Sequence, residues 1–303
     1  MNYFITILIA ALFLSCNFST PKNTADHHSE KVITTVDSAK IARIRLTTPS
    51  DYRQALDTLD MGDLTSISIA AILFKNCSAD TLVRDSIFMV FNDFLNNVAG
   101  SYLENNEKVS LQLGDSPTPE MINQLKRNIL SYGILLNSSK GSFYLEPQNE
   151  FLLQNFGSAL SPAYRQYLAI SSREQLERFS EEGTILISAD SLASRILSWE
   201  DFLVRYPRFC SVGLAQDQYA QYMGAFLAGM ENSRVFDPQT NLLKDSSKTS
   251  FESFISKNPG SRSSEVVRSY LELLAKLNFM YTDKVDSFLL ERVFSDEGEV
   301  ENK

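Results

Sequence analysis

The sequence contains very little histidine: its only two residues of this type, His27 and His28, stand side by side near the amino-terminal end. A Ser-His-Asp site, a Cys-His site and a histidine-ligated metal centre all need histidine in the folded part of a chain. Those sites are therefore excluded downstream of residue 28. Adjacent histidines without nearby cysteines or a carboxylate cluster are typical of solvent-exposed bystanders, so we expect neither a metal site nor a cofactor.

The glycine motifs that hold phosphates or present a nucleophile are also missing. The sequence has no G-x-G-x-x-G, no Gly-Lys-Ser/Thr loop and no G-x-S-x-G. Asp237, Gln239 and Asn241 are spaced like calcium ligands, but Leu242 replaces the glycine of such a loop and Lys248 replaces its glutamate. We therefore predict no catalytic residues and no enzyme activity.

Basic residues are fewer than acidic residues in this sequence. Lys and Arg number 28 against 37 Asp and Glu, which gives a formal net charge of −9, and no run of basic residues stands out. Nucleic acids and anionic lipid surfaces are bound by clustered Lys and Arg, which neutralise phosphates. Neither is an expected partner of this chain.

Cysteine is scarce as well, with three residues in the sequence. Cys77 and Cys210 both lie in apolar, helix-like contexts, where free buried thiols are common. In an oxidising compartment the two could pair, and this alternative stays open. The third, Cys16, follows the one long apolar run of the chain.

That run covers residues 1–15 and contains no charged side chain. As a helix it would reach about 22 Å at ~1.5 Å per residue, which is short of a hydrocarbon core of ~30 Å. It is followed by a polar stretch, a pattern typical of a secretory signal peptide. We predict that it is cleaved and does not span the membrane.

A small residue, Ser15, directly precedes Cys16, and this junction resembles the signal of bacterial lipoproteins. The resemblance implies that Cys16 is acylated, becomes the mature amino terminus and fixes the protein to a membrane of the cell envelope, since two or more acyl chains give stable anchoring. Asn17 in place of an aspartate favours the outer membrane in such proteins. An ordinary signal peptide with a chance cysteine is the alternative.

The remaining chain divides by composition. The expected segments are a signal peptide at 1–15, a polar flexible tether at 16–48, a helical domain at 49–294 and an acidic tail at 295–303, with a sub-boundary near 132–160 left open. The folded part then lies outside the cytoplasm.

Helical periodicity dominates from Ser50 onward, so the predicted fold class is mainly α. The longest helix is predicted over 81–103, with one apolar face formed by Ile87, Phe91, Phe94, Val98 and Tyr102. Helix starts are predicted at Thr118-Pro119 and Ser161-Pro162, where a capping hydroxyl precedes a proline. A capping box is predicted at Ser172 and Gln175.

The period changes at 134–146, where two short β-favouring runs flank the tetrapeptide SSKG. This pattern predicts a small β-hairpin around a four-residue turn. A second short extended run is expected at Ile185–Ile187.

Two stretches of the chain are alike: SWEDFLVRYP at 198–207 and SFESFISKNP at 250–259. Each reads as a helix with two inward aromatic residues that stops at a proline, and each precedes a second apolar helix (217–230, 264–277). The pattern resembles tetratricopeptide-like helical repeats. It implies helical hairpins packed in an irregular or repeat-like array, although a free-standing solenoid needs three or more units.

A longer stretch, from SSKGSFYLEP (138–147) to ILSWEDFLVRYP (196–207), resembles an uncharacterised helical domain of bacterial secreted proteins. That domain carries an acid in the hairpin turn where this chain has Lys140. The resemblance implies a fold and a compartment and no particular activity.

Two functions are compatible with these patterns. The first is a membrane-anchored lipoprotein that acts as a non-catalytic protein-interaction or scaffold module, with another envelope protein as partner and Phe143 and Tyr144 as the candidate surface. Strand alternation predicts that one of these two faces in and the other out, while Trp199 is expected in the core. The alternative is an envelope protein that binds or cleaves glycans through acids near the hairpin, for which two carboxylates suffice. Its candidates, which can equally be solvated surface residues, are Glu146, Glu150, Glu181 and Glu182.

Overall fold

A computed structural model describes residues 46–77, 80–106, 109, 113–114 and 117–294. All of them belong to one compact unit, Ser38–Lys303. The predicted signal peptide, Cys16, most of the tether and the acidic tail lie outside the described residues.

Eleven α-helices account for most of the described chain, which confirms the mainly α prediction. In chain order they are α1 (Pro49–Leu56), α2 (Thr65–Lys75), α3 (Thr81–Asn105), α4 (Pro119–Leu130), α5 (Asn149–Phe156), α6 (Pro162–Leu176), α7 (Ala189–Arg205), α8 (Val212–Ala228), α9 (Asp245–Lys257), α10 (Arg262–Lys276) and α11 (Asp283–Arg292). None of the described helices combines the length and the apolar character that crossing a membrane requires.

The predicted β-hairpin is present, formed by β1 (Ile134–Ser139) and β2 (Ser142–Pro147) in antiparallel register. Its turn is shorter than expected. Ser139 pairs with Ser142, so that only Lys140 and Gly141 connect the strands, with φ of 51° and 77°. Positive φ at both residues gives the backbone the twist that a two-residue hairpin turn requires. The predicted four-residue turn is therefore wrong.

Two smaller hairpins occur among the described residues. Strands β3 (Ser180–Glu181) and β4 (Thr184–Ile185) form the first, near the predicted extended run, and β5 (Gly229–Met230) and β6 (Ser233–Arg234) form the second. The sequence interpretation continued the preceding helix through residue 230. Gly229 ends it instead at φ 78°, where a Cβ atom would stand 2.3 Å from the Ser233 carbonyl oxygen.

The helix-start predictions had mixed outcomes. The hydroxyls of Thr118 and Ser161 each accept from the backbone N–H three residues later, which confirms both caps. The capping box at Ser172 and Gln175 is wrong, because both residues lie inside α6. Their side chains make tertiary hydrogen bonds to the β1–β2 hairpin and α5, which local spacing cannot distinguish from a cap.

Helix α3 lies at the centre of the amino-terminal half. Ile87, Phe91, Phe94 and Val98 of the predicted face are buried, while Tyr102 is half-buried. Phe88 and Leu95 are buried on other sides of the same helix, so neighbours cover more than one stripe. Its aromatic residues stack with rings from α2, α5 and α6, namely Phe74, Phe156 and Tyr164.

The repeated stretches form the two helical hairpins that the sequence predicted. Helices α7 and α8 form the first and α9 and α10 the second, and the inward aromatic residues of both are buried. They are Trp199 and Phe202 in α7 and Phe251 and Phe254 in α9. Helix α7 packs on both α9 and α10, so the hairpins stack as an array.

Candidate functional site

The three β-hairpins lie next to one another and form one surface, here called the hairpin strip (134–147, 177–186 and 229–234). Side chains join the first two hairpins. The Arg178 guanidinium donates to the Tyr144 hydroxyl (3.1 Å), and the Lys140 ammonium lies 4.0 Å from a Glu182 carboxylate oxygen. The turn of β1–β2 is therefore close to the turn of β3–β4.

The second and third hairpins are joined through backbone groups. The Asn232 N–H donates to the Gly183 carbonyl (2.9 Å), and the Ile185 N–H donates to the Ser233 hydroxyl (2.9 Å). Gly183 adopts φ 73°, and a Cβ atom there would stand 3.0 Å from Glu231 Cβ. Direct hydrogen bonds of this kind fix the position of a loop better than mobile surface charges do.

Apolar side chains are exposed in and next to the strip. Within it Leu186 is 51% and Tyr144 38% exposed, and Leu176, which directly precedes residues 177–186 in the chain, is 85% exposed. Tyrosine and arginine are enriched at the energetically important positions of protein interfaces, and exposed apolar groups supply the area that an interface buries. This composition fits protein binding better than it fits a solvated surface.

The predicted surface residues Phe143 and Tyr144 lie on opposite faces of β2. Phe143 packs against the hydrophobic core, on the same face as the buried Leu145, whereas Tyr144 is exposed. Tyr144 is therefore the residue of the pair that a partner can reach. Leu176, at the end of α6, and Arg178 and Leu186, which follow it, were missed by sequence reasoning because this part of the chain has no strong period.

A polar network lies behind the strip and is centred on the half-buried Glu174 of α6. Its carboxylate accepts from Trp199 Nε1 (3.0 Å to Oε1, 3.2 Å to Oε2) and from the Tyr222 hydroxyl (2.9 Å to Oε2). Arg195 donates to the Tyr222 hydroxyl (3.2 Å) and to the Glu177 carbonyl. Four residues from α6, α7 and α8 are thereby tied to the segment that leads into β3.

Burial controls the electrostatics of this network. It raises the pKa of Glu174 above its ordinary value, and the hydrogen bonds from Tyr222 and Trp199 and the nearby Arg195 oppose that effect without cancelling it. Burial likewise raises the pKa of the Tyr222 hydroxyl far above neutral, with the Glu174 carboxylate adding to the effect. Tyr222 is thus a stable hydrogen-bond donor at any physiological pH.

The four candidate carboxylates of the glycan hypothesis are each engaged by neighbours. Glu146 accepts from Asn137 (2.6 Å) and Gln175 (3.2 Å), and Glu150 accepts from Ser172 (2.7 Å). These bonds attach the hairpin and α5 to α6. Glu181 pairs with Arg178 (2.9 Å) and Glu182 with Lys140.

The two cysteines of the described chain are both free thiols, and they differ in exposure. Cys77 is buried, and burial raises the pKa of its thiol to about 11. Cys210 is exposed, but partial burial of its sulfur and the Asp85 carboxylate raise its pKa too. Both thiols stay protonated at neutral pH and are poor nucleophiles. Within the described ranges, no three His, Cys, Asp or Glu side chains gather closely enough to hold a metal ion.

The chain matches no protein-family model, and comparisons with curated proteins and with solved structures found no match. The features of the molecule that bear on function are the geometry of the hairpin strip and the sequence of the amino-terminal segment.

Proposed function

We propose that this protein is a lipoprotein of the bacterial cell envelope that binds another envelope protein through its hairpin strip. In this proposal Cys16 carries the lipid, residues 17–48 form the spacer, and the helical array is the scaffold. The observation that carries it is the pairing of exposed Tyr144 with Arg178 beside two exposed leucines, on hairpins joined to one another by hydrogen bonds.

The rigidity of the hairpin strip favours binding. An interface formed by ordered hairpins loses less conformational entropy on association than one formed by mobile loops. The described hairpins are joined to each other, and the Glu174 network holds the segment that carries Arg178. The surface is thus preorganised for one partner.

The anchor is tested by Cys16→Ala expressed in a bacterial host that processes lipoproteins. We expect the protein to leave the membrane fraction, since the variant has no thiol to carry the acyl chains that would hold it there. Mass spectrometry of the wild-type amino-terminal peptide should show the acyl modification. Unchanged membrane association of the variant and an unmodified Cys16 would refute the anchor.

The binding surface is tested by a photo-crosslinking residue placed at Leu186, with Leu290 on α11 as the control position because it is similarly exposed (51% and 61%). We expect one protein adduct from position 186 and none from 290. Tyr144→Ala and Arg178→Ala should each weaken binding of the purified adduct partner by about tenfold, which corresponds to about 1.4 kcal/mol. Equal adducts at both positions, or unchanged affinity of both variants, would reject the strip as the interface.

A glycan-binding role is the second candidate, because Arg178 links the exposed Tyr144 ring to the Glu181 carboxylate at one place. It predicts that the purified domain binds envelope glycan fragments and that Tyr144→Ala removes this binding. Retained affinity for glycans in that variant would exclude the strip as a glycan site.

A further inference from the structure

The Glu174 carboxylate has a geometry that suits the binding of a proton. Oε2 accepts from both Tyr222 (2.9 Å) and Trp199 (3.2 Å), whereas Oε1 accepts from Trp199 alone (3.0 Å). A proton on Oε1 therefore leaves one acceptor oxygen within reach of both donors. The hydrogen bonds from Tyr222 and Trp199 can therefore form whether Glu174 is protonated or ionised.

The network touches the hairpin strip through the segment 177–181. Arg195 donates to the Glu177 carbonyl and lies 3.6 Å from the Glu177 carboxylate. The Phe179 ring packs edge-on against the Tyr222 ring at 5.0 Å between centroids. Arg178, which reaches Tyr144, lies between these two contacts along the chain, so the network is connected to the middle of the strip.

Charged and titratable groups face Glu174 from each helix of the network. Arg195 from α7 and Arg173 from α6 favour the ionised carboxylate, as do the donors Tyr222 of α8 and Trp199 of α7. Burial raises the pKa of the Tyr167 phenol of α6, and the charges of Glu174 and of Asp217 on α8 add to that effect. Glu177 faces Arg195 from the other side.

We propose that Glu174 is a proton-binding latch that holds the segment 177–181, and with it Arg178 and Glu181, more firmly as the pH falls. The direction follows from linkage. Burial disfavours the ionised carboxylate in the closed arrangement, and water would relieve that cost if the segment opened, so the closed form binds the proton more tightly. A ligand that prefers one state shifts the population toward it.

The free energy of unfolding of the whole domain should depend on pH in the same direction. A carboxyl group whose pKa is raised by folding contributes stability that is present below its unfolded pKa and is lost as the pH rises through its folded pKa. Between those two values wild-type stability, measured relative to Glu174→Gln, therefore increases as the pH is lowered.

Trp199 is the only tryptophan of the chain and donates directly to Glu174, so its emission reports on this one carboxyl group. A titration from about pH 8 to about pH 4 should show one transition, with a midpoint above the ordinary glutamate value of about 4.3. Glu174→Gln should remove the transition. Glu177→Gln, which removes an exposed acid on the far side of Arg195, should leave it in place.

Tyr222→Phe is the second variant, because it keeps the ring and removes one donor to Glu174. The transition should then move to higher pH, since that hydrogen bond favours the ionised form. Hydrogen exchange of amides 177–181, corrected for the intrinsic pH dependence of exchange, should slow below the midpoint in wild type and be pH-independent in Glu174→Gln. Circular dichroism verifies that each variant is folded.

A flat emission titration in folded wild type, or a transition that survives in Glu174→Gln, would overturn the latch. Faster corrected exchange of 177–181 at acid pH would overturn its direction. The consequence for partner binding depends on the proposed function, but these readouts use no partner. A failure of the strip as an interface therefore leaves the latch test unaffected, and the reverse also holds.

Discussion

The two copies of the repeated stretch, 198–207 and 250–259, form the same local structure and have different polar neighbours. In both, the hydroxyl of the leading serine (Ser198 or Ser250) donates to the backbone carbonyl four residues earlier. The residue before the proline donates its N–H to the backbone carbonyl of the second aromatic residue, Phe202 or Phe254. In both, the aromatic pair is buried. These two hydrogen bonds and the burial of the aromatic pair are thus the same in both copies.

The shared glutamate differs in its environment. Glu200 of the first copy accepts from the backbone N–H groups of Arg262 (2.8 Å) and Ser263 (2.9 Å) and from the Ser263 hydroxyl, so it caps the start of α10 in the second hairpin. Glu252, its counterpart, lies 4.0 Å from Lys248 of its own helix. The glutamate at this repeat position thus joins the two helical hairpins in the first copy and remains on the surface in the second.

The leading aromatic residue differs in a related way. Trp199 donates its indole N–H to Glu174, whereas the Phe251 side chain has no polar atom and packs against the rings of Phe226 and Tyr270. The first copy is therefore connected to the polar network behind the strip through its leading aromatic residue, while the leading aromatic residue of the second copy makes only apolar packing contacts. The difference shows that the environment of a repeat, more than its sequence, assigns its polar roles.

The largest effect should come from truncating these aromatic residues. Trp199→Ala and Phe251→Ala should each lower the free energy of unfolding by about 3–5 kcal/mol. Trp199→Ala also removes a donor that favours the ionised Glu174, so its loss should be greater at about pH 7 than at about pH 5. Denaturant unfolding followed by circular dichroism at both pH values measures this. An equal pH dependence in the two variants would contradict the asymmetry.

A middle-sized effect is expected at the shared glutamates. Glu200→Gln should cost about 1–2 kcal/mol because the neutral amide has one acceptor oxygen for several donors at the start of α10. Glu252→Gln should change stability by no more than about 0.5 kcal/mol, as exposed substitutions do. Denaturation midpoints of both variants decide the matter, and similar losses would mean that the two copies are equivalent after all.

The smallest effect concerns the cations at the ends of the two helices. Lys257 pairs with Asp190 near the start of α7 (3.2 Å), which joins α9 to α7, and Arg205 pairs with Asp201 of its own helix (2.8 Å). Both pairs are exposed, so Lys257→Gln and Arg205→Gln should each cost less than about 1 kcal/mol. Salt at about 1 M should remove both losses, because it screens exposed charges. A loss that persists in high salt would show that Lys257 has a further role.

Features that depend on a single helix were predictable. The caps at Thr118 and Ser161, the face of α3, the burial of Trp199 and the stop before each repeated proline all follow from spacing and backbone preference. The capping box at Ser172 was not, because the same hydroxyl forms a tertiary hydrogen bond with Glu150 and spacing does not reveal tertiary partners.

The candidate site was predictable only in part. Strand alternation predicts that one of Phe143 and Tyr144 is exposed without saying which, and Arg178, the partner of Tyr144, is 34 positions away along the chain. Leu176 and Leu186 would fit a core by composition, and only the fold leaves them exposed. The third hairpin required Gly229 to be recognised as a helix end, although it lies in an apolar run that favours continuing the helix.

The sequence by itself determined the helical class, the first hairpin, the doubled unit and the absence of histidine chemistry downstream of residue 28, because each depends on local periodicity or on residue types. The tertiary structure decided which glutamate caps a helix, which carboxylate is buried and which side chains meet on the hairpin strip. Those outcomes depend on hydrogen bonds and burial between segments distant in the chain, and local spacing carries no information about which distant segments meet.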